Sequence, residues 1–161
     1  MENGSRFSRD AYFGIIAAAA AMLAKCQRRQ VGAVLVKENR IISTGYNGAP
    51  PGFQNCFGDK CVFGGSSCIN TIHAEINCLT RSREVGDIIY CTDTPCINCV
   101  KALLSHNPNI RIVWMRCYDD SLREHFIYLH DEKNNVNIER MNLQDLQQVE
   151  KTIGFNWSEN D

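Results

Sequence analysis

Two short segments of this 161-residue chain contain side chains that could hold a metal ion and use it. The first segment contains His73 and Glu75, and the second contains Cys96 and Cys99. One imidazole and two thiolates are the three protein ligands of a catalytic zinc site that leaves its fourth position to water. Glu75 is then a spare carboxylate beside the metal that can take up a proton. These four residues predict a zinc site that activates water.

The spacing of the four residues constrains how they can meet. Cys96 and Cys99 are three residues apart and share one face of a helix, whose N-terminal dipole favours thiolates. His73 and Glu75 are two residues apart and do not share a face in a regular helix. We therefore expect His73 at or near the first turn, with the longer Glu75 side chain reaching the activated water. A zinc ion with two thiolates and a neutral histidine is formally neutral and can still acidify water.

A Cys-x-x-Cys pair by itself also fits a redox pair or half of a structural zinc ribbon. A ribbon would need a second pair of cysteines or histidines at ordinary spacing, and it would leave Glu75 without a role. The combination with an upstream His-x-Glu favours the open catalytic site.

Composition narrows the class of protein. The chain has 17 basic and 18 acidic residues, so it lacks the broad positive surface of a nucleic-acid-binding protein and favours a small-molecule substrate. Its length predicts a single domain over residues 1–161. The odd count of nine cysteines indicates a reducing cytoplasm. The uncharged run 11–24 is too short to span a membrane and predicts a buried helix, with a targeting signal as the alternative.

Helical and extended patterns alternate along the chain. Ser8 caps the first helix, Thr94 and Pro95 start the third, and Glu38-Asn39 turns a hairpin. The predicted helices cover 8–26, 71–83, 95–106, 121–129 and 143–153, and the predicted strands cover 31–36, 40–46, 87–92, 110–115 and 136–141. This order predicts an α/β fold in which a mixed five-stranded sheet lies between helices, a three-layer α/β/α sandwich.

The motif His73-Ala-Glu75 followed by Pro95-Cys-Ile-Asn-Cys99 resembles the zinc-dependent cytidine and deoxycytidylate deaminases. The resemblance implies that His73, Cys96 and Cys99 hold zinc and that Glu75 shuttles protons. It also implies attack of the activated water on C4 of a cytosine ring, release of ammonia, and the cytidine deaminase fold.

Upstream features narrow this resemblance to the deoxycytidylate deaminases over about residues 10–130. They are the segment 31–48, Pro51-Gly52, Cys56 and the approach from Cys68 to His73. The resemblance implies conversion of dCMP to dUMP, which supplies thymidylate synthesis. The alternatives are a deaminase of free cytidine or of tRNA adenosine, and a non-catalytic zinc-binding module. The tRNA enzymes have a shorter connection in this region and would be more basic.

The resemblance also assigns substrate-binding residues. It places Asn47 against the sugar or base, although Asn-Gly pairs also form turns. It places Arg28 at the phosphate, with Arg29 as a neighbouring alternative and a solvated surface charge as the other interpretation. Tyr118, after the strand that ends near Met115, is a second candidate for the phosphate contact. The remaining substrate residues that the resemblance implies are Ala74, Thr94 and Pro95.

The same resemblance implies regulation and assembly. Related enzymes are commonly activated by dCTP and inhibited by dTTP with Mg²⁺, and they form homo-hexamers. The regulatory residues that this implies are Tyr46, Gly48, Gly52 and Asn55. Three further cysteines, Cys56, Cys61 and Cys68, either bind a second zinc or are simply buried thiols. We assign the other four to core packing: Cys26, Cys78, Cys91 and Cys117.

Overall fold

The structure is a computed structural model that describes residues 6–26, 28–56, 68–117, 129 and 134–154. Its helices are α1 (Arg9–Ala21), α2 (Ala74–Arg81), α3 (Ile97–His106) and α4 (Leu143–Ile153). Its strands are β1 (Gly32–Lys37), β2 (Arg40–Tyr46), β3 (Ile88–Asp93), β4 (Arg111–Arg116) and β5 (Ile138–Arg140). The helix predicted over 121–129 lies outside the described residues, apart from its last position.

The five strands form one mixed sheet in the order β2-β1-β3-β4-β5. Strand β1 is antiparallel to both β2 and β3, whereas β3, β4 and β5 are parallel. The predicted hairpin joins β1 to β2, and Glu38 and Asn39 at its turn have φ values of 47° and 63°. Two consecutive positive φ values match the tight turn that joins twisted antiparallel strands.

Alternate residues of the central strands face two separate hydrophobic cores. Val34 and Val36 pack in the core that contains α1 and α4. Ala33 and Leu35 point the other way, into the core that contains α2 and α3. Because a strand buried on both faces must be apolar at every position, β1 reads as a continuous hydrophobic run. The predicted three-layer sandwich is confirmed.

Helix α1 is shorter than the predicted 8–26. It begins as expected, since the Ser8 hydroxyl accepts a hydrogen bond from the Ala11 amide, but it ends at Ala21. After a short turn the chain joins the sheet edge, where the Lys25 amide donates to the Asn47 carbonyl. No described helix is long and apolar enough to cross a membrane, and α1 is instead part of the core.

The starts of α2 and α3 also differ from the predictions. Thr94 and Pro95 do not begin α3, because Cys96 is its N-cap in an extended conformation. The Thr94 amide instead donates to the Arg116 carbonyl at the end of β4, which prolongs the sheet by one residue. Helix α2 begins at Ala74 rather than 71, because Ile72 pairs with Gly48 in an isolated β-bridge. Tertiary hydrogen bonds therefore delay both helices.

Candidate active site

The delayed helix starts bring three metal-binding side chains together. His73 is the N-cap of α2, Cys96 is the N-cap of α3, and Cys99 lies in the first turn of α3. The His73 Nδ1 atom is 3.5 Å from the Cys96 Sγ and 3.4 Å from the Cys99 Sγ. Within the described ranges, these residues are the one group of three or more potential metal ligands whose donor atoms converge, all within 4.8 Å of one another.

These distances fit a zinc ion. A tetrahedral zinc with Zn–S bonds of about 2.3 Å and Zn–N bonds of about 2.0 Å places its nitrogen and sulfur ligands roughly 3.5 Å apart. The spacing of His73 from both sulfurs matches that separation. Three protein ligands leave one position of the tetrahedron for a water molecule.

The protein prepares the donors electrostatically for a cation. A hydrogen bond from the Cys99 thiol, with further help from His73, lowers the pKa of Cys96 to about 4. The same hydrogen bond, together with burial, raises the pKa of Cys99. The hydrogen bond with Cys96 also raises the pKa of His73. One sulfur is therefore already a thiolate at neutral pH, and metal binding releases the remaining protons.

Glu75 lies in the first turn of α2 and is 4% exposed. Burial raises the pKa of its carboxyl to about 7. Because His73 has extended φ and ψ angles of −67° and 150°, it departs from the helix and reaches the same cavity as Glu75. The two residues thus meet despite a spacing that a regular helix would keep apart, as expected for a histidine at the first turn.

Two of the three metal donors, His73 and Cys96, line a cavity of about 300 Å³, within the size range of small-molecule pockets. Its wall combines residues from the segment before β1, the end of β2, the start of α2 and the end of β3. The lining residues besides His73, Glu75 and Cys96 are Cys26, Arg28, Arg29, Val31, Asn47, Cys68, Thr71, Ala74, Asp93 and Thr94.

Four of the substrate-binding residues implied by the resemblance line this cavity: Arg28, Asn47, Ala74 and Thr94. Pro95 is buried in the link that carries Cys96 but is not part of the lining. Tyr118 lies outside the described residues.

Asn47 does not form the Asn-Gly hairpin turn that was the alternative for it. Its side-chain oxygen accepts from the Val31 amide at 2.8 Å, and its side-chain nitrogen donates to the Arg29 carbonyl at 2.8 Å. Both bonds tie the end of β2 to the segment before β1. The amide is consequently held in one orientation in the cavity wall.

The regulatory residues implied by the resemblance are not among the residues that line the cavity. The Arg81 guanidinium lies 5.8 Å from the centroid of the Tyr46 ring. Gly48 forms two backbone hydrogen bonds with Ile72, the residue that directly precedes His73. Gly52 is exposed with a φ of 85°, and Asn55 is half-buried.

The assignment of four cysteines to core packing is confirmed for two of them. Cys78 and Cys91 are buried in the core as predicted, but Cys26 lines the cavity and Cys117 is exposed. Both lie outside regular secondary structure, Cys26 in the segment after α1 and Cys117 directly after β4. The sequence pattern did not predict this. For the possible second zinc, Cys56 is buried and Cys68 is half-buried, while Cys61 lies outside the described residues.

Sequence reasoning missed Asp93, whose side chain is 3% exposed in the cavity wall. Arg29 was considered only as an alternative to Arg28, yet it is one of the two arginines that Asp93 binds, the other being Arg116. The sequence feature that could have identified Asp93 is its position: it is a charged residue at the end of the apolar strand β3, two positions before Pro95.

Comparisons with known proteins agree with this site. The family model of the cytidine and deoxycytidylate deaminase zinc-binding region matches residues 7–115. The deoxycytidylate deaminase of Schizosaccharomyces pombe is 42% identical over 111 residues, 60% of this chain and 34% of that protein. The deoxycytidylate deaminase of Mycobacterium phage D29 is 38% identical over 109 residues, 59% of this chain and 85% of the phage protein. The chain thus spans about a third of the fission yeast relative.

Among solved structures, the dCMP deaminase of cyanophage S-TIM5 in complex with dCMP and dUMP superimposes with a TM-score of 0.65. It is 27% identical in sequence, and the match covers 81% of this chain and 94% of the phage chain. The family match includes the whole of the His73, Glu75, Cys96 and Cys99 motif. The chain belongs to the cytidine and deoxycytidylate deaminase family.

Proposed function

We propose that this protein is a zinc-dependent deaminase that hydrolyses dCMP to dUMP and ammonia. The observation that carries the proposal is the convergence of three metal donors beside a cavity that His73, Cys96 and the buried Glu75 line. The choice of dCMP is supported by the names of the deoxycytidylate deaminase relatives and by the dCMP and dUMP bound to the cyanophage protein.

The chemistry divides between the metal and the chain. When bound, a zinc ion supplies Lewis acidity that activates a water molecule. His73, Cys96 and Cys99 hold the ion at the starts of two helices. Glu75 accepts one proton of the attacking water and delivers it to ring N3. It then takes the second proton from the oxygen added at C4 and passes it to the amine, so that the C4–N bond breaks, the C4 carbonyl forms and ammonia leaves. One water is consumed for each ammonia released, so Glu75 ends each cycle in its starting state.

The cavity wall supports a nucleotide substrate. Asn47 presents an amide whose orientation is already set by two backbone partners, which reduces the entropy lost on binding the sugar or base. Arg28 supplies a cation for the 5′-phosphate. Ala74 and Thr94 contribute to the wall beside the metal donors, and Pro95 stiffens the link to Cys96. Tyr118 is the last of the residues that we propose to bind the substrate.

A substrate panel tests this proposal. Zinc-loaded protein is assayed for ammonia released from dCMP, cytidine, dCTP and a tRNA anticodon stem. We expect turnover of dCMP well above that of the others. Absence of ammonia from dCMP contradicts the proposal, and turnover of cytidine or tRNA alone identifies the alternative substrate.

A Glu75→Ala variant tests the proton shuttle. It should keep zinc and bind dCMP while losing about 10²- to 10⁴-fold in turnover, the range ascribed to positioned acid–base groups. Glu75→Gln is the matched control, because it keeps the size of the side chain and removes only the ability to carry the proton. Loss of zinc from both variants would show that Glu75 acts as a metal ligand instead.

We further propose that dCTP activates and dTTP with Mg²⁺ inhibits the protein, through a site that includes Tyr46, Gly48, Gly52 and Asn55. The backbone pairing of Gly48 with Ile72 supports this, because it connects the loop to the residue before His73. Activity titrations with both triphosphates test the regulation. Activity that depends on the dCMP concentration but is unchanged by either triphosphate would contradict the proposed regulation.

The assembly and setting are proposed on similar grounds. We propose a homo-hexamer, a single domain over residues 1–161, and a role in supplying dUMP for thymidylate synthesis. A reducing, cytoplasmic setting is supported by the described cysteines, all of which are free thiols. Mass measurement in solution tests the assembly, and a monomer would contradict it.

A further inference from the structure

Asp93, the last residue of β3, binds two arginines from different parts of the chain. Its Oδ1 accepts from the Nε of Arg29, which belongs to the segment before β1. The Arg116 guanidinium, at the end of β4, donates to both carboxylate oxygens at 3.0 and 2.8 Å. The Thr92 hydroxyl donates to Oδ2 at 2.7 Å. One buried carboxylate thus joins three segments at the cavity wall.

The consequence for Arg29 is a fixed orientation. Its Nε is bound by Asp93, and its Nη2 donates to the Cys117 carbonyl at 3.1 Å. Two anchors on a planar guanidinium define both its position and its plane. Such an arginine loses little further freedom when it binds a planar or tetrahedral anion.

The location of this guanidinium indicates what it recognises. Arg29 and Arg28 both line the cavity that Glu75, His73 and Cys96 also line. Arginine side chains recognise phosphate through charge-assisted hydrogen bonds. A phosphorylated substrate whose ring lies at the metal site would meet this part of the wall with its anionic end.

We propose that Asp93 is a positioning residue that holds Arg29 in the cavity wall for the 5′-phosphate of the substrate, and that it thereby sets the preference for a nucleoside monophosphate over the nucleoside. This inference rests on the proposed deaminase function. Asp93 acts through Arg29 and does not itself contact the reacting ring, because both of its oxygens already accept hydrogen bonds from protein donors.

An Asp93→Asn variant tests the inference through two substrates. The substitution keeps the side-chain shape but removes the charge that binds Arg29. We expect the KM for dCMP to rise about ten- to hundredfold, as for loss of one charge-assisted interaction. The kcat for dCMP and both constants for deoxycytidine should change less than about threefold, because neither depends on the phosphate. Equal losses for both substrates, or an unchanged KM for dCMP, would overturn the inference.

A double-mutant cycle separates positioning from general structural support. If Asp93 acts through Arg29, then Asp93→Asn added to Arg29→Gln should raise the KM for dCMP no further. Added to Arg28→Gln, the matched control, it should retain its full effect. Full additivity in the Arg29→Gln background refutes the proposed connection.

Asp93→Asn could disrupt folding, and Arg29→Lys covers that outcome. Lysine keeps the positive charge but lacks the planar fork that Asp93 holds. We expect Arg29→Lys to raise the KM for dCMP at least about tenfold with deoxycytidine unaffected. A KM for dCMP equal to that of the wild type would show that a fixed guanidinium is not required.

Binding of inorganic phosphate to the zinc-loaded protein separates this inference from the proposed function. Phosphate should bind the wild type at least about tenfold more tightly than Asp93→Asn or Arg29→Lys. If the wild type does not deaminate dCMP but shows this difference, the proposed reaction fails and the anion site stands. If dCMP is deaminated and phosphate binds all three proteins equally, the reaction stands and the role of Asp93 is refuted.

Discussion

Gly45 in β2 fixes the distance between the sheet and helix α2. A β-carbon at this position would lie 2.3 Å from the Ala74 carbonyl oxygen and 2.5 Å from the Cys78 amide nitrogen. Both are backbone atoms, so no side-chain rotation can relieve the contact. Ordinary contact begins at 3.4 Å, which means that Gly45→Ala must move α2 by about 1 Å.

That movement would reach the active site, because α2 starts directly after His73 and carries Glu75 in its first turn. A misplacement of about 1 Å can cost about a hundredfold in rate. The forced contact should also lower the free energy of unfolding by about 1–3 kcal/mol. The measurements are zinc content per chain, thermal unfolding, and kcat/KM for dCMP on the zinc-loaded variant.

Gly14→Ala is the control for Gly45→Ala. Its β-carbon would also meet close neighbours, the nearest being the Met141 Cε at 2.8 Å, but these are side-chain atoms that can shift. They belong to the core on the face opposite the metal site. We expect unchanged turnover in this variant. Full activity and zinc in Gly45→Ala, or an equal loss in Gly14→Ala, would refute the reasoning.

Three further predictions concern stability and metal content. Burial opposes the charge on Asp10, but hydrogen bonds from Arg111 and Tyr90 outweigh it and lower the pKa of that carboxyl. The stabilisation that ionised Asp10 gives the folded state is therefore complete above about pH 4, and it is lost as the pH falls through the lower pKa of the folded state. Asp10→Asn should accordingly reduce the slope of melting temperature against pH in acid. Ser8→Ala removes the cap of α1 and should cost about 1 kcal/mol in urea unfolding, whereas an unchanged midpoint would show that the cap is not needed. Metal analysis should give one zinc per chain, and a second zinc that Cys61→Ser removes would identify the cysteine-rich loop as another metal site.

The sequence determined those features whose causes are local. Helix α4 occupies the predicted range 143–153, because Asn142 caps its start and Gly154 adopts the left-handed conformation after its end. The hairpin could likewise be predicted, because it depends only on two strands that are adjacent in sequence and on the turn residues between them. The types and spacing of the four motif residues were enough to predict a zinc site with a neighbouring proton carrier, because only a few kinds of side chain bind zinc.

The tertiary structure decided where that chemistry takes place. The start of α3 was predicted two residues too early, at Pro95 instead of Ile97, because the Thr94 amide bonds to the Arg116 carbonyl at the end of β4. That small change makes Cys96 a helix cap and turns its sulfur towards His73. The shift in α2 has the same origin in the pairing of Ile72 with Gly48.

The contact of Asp93 with Arg29 could not be foreseen for a related reason. The two residues are 64 positions apart in sequence and meet only because β1 and β3 are neighbours in the sheet. A buried carboxylate is costly unless it is paired, but the sequence does not say which cation pairs with it. Residue types and spacing thus decided the metal and the proton carrier, and the order of strands decided which charges surround them.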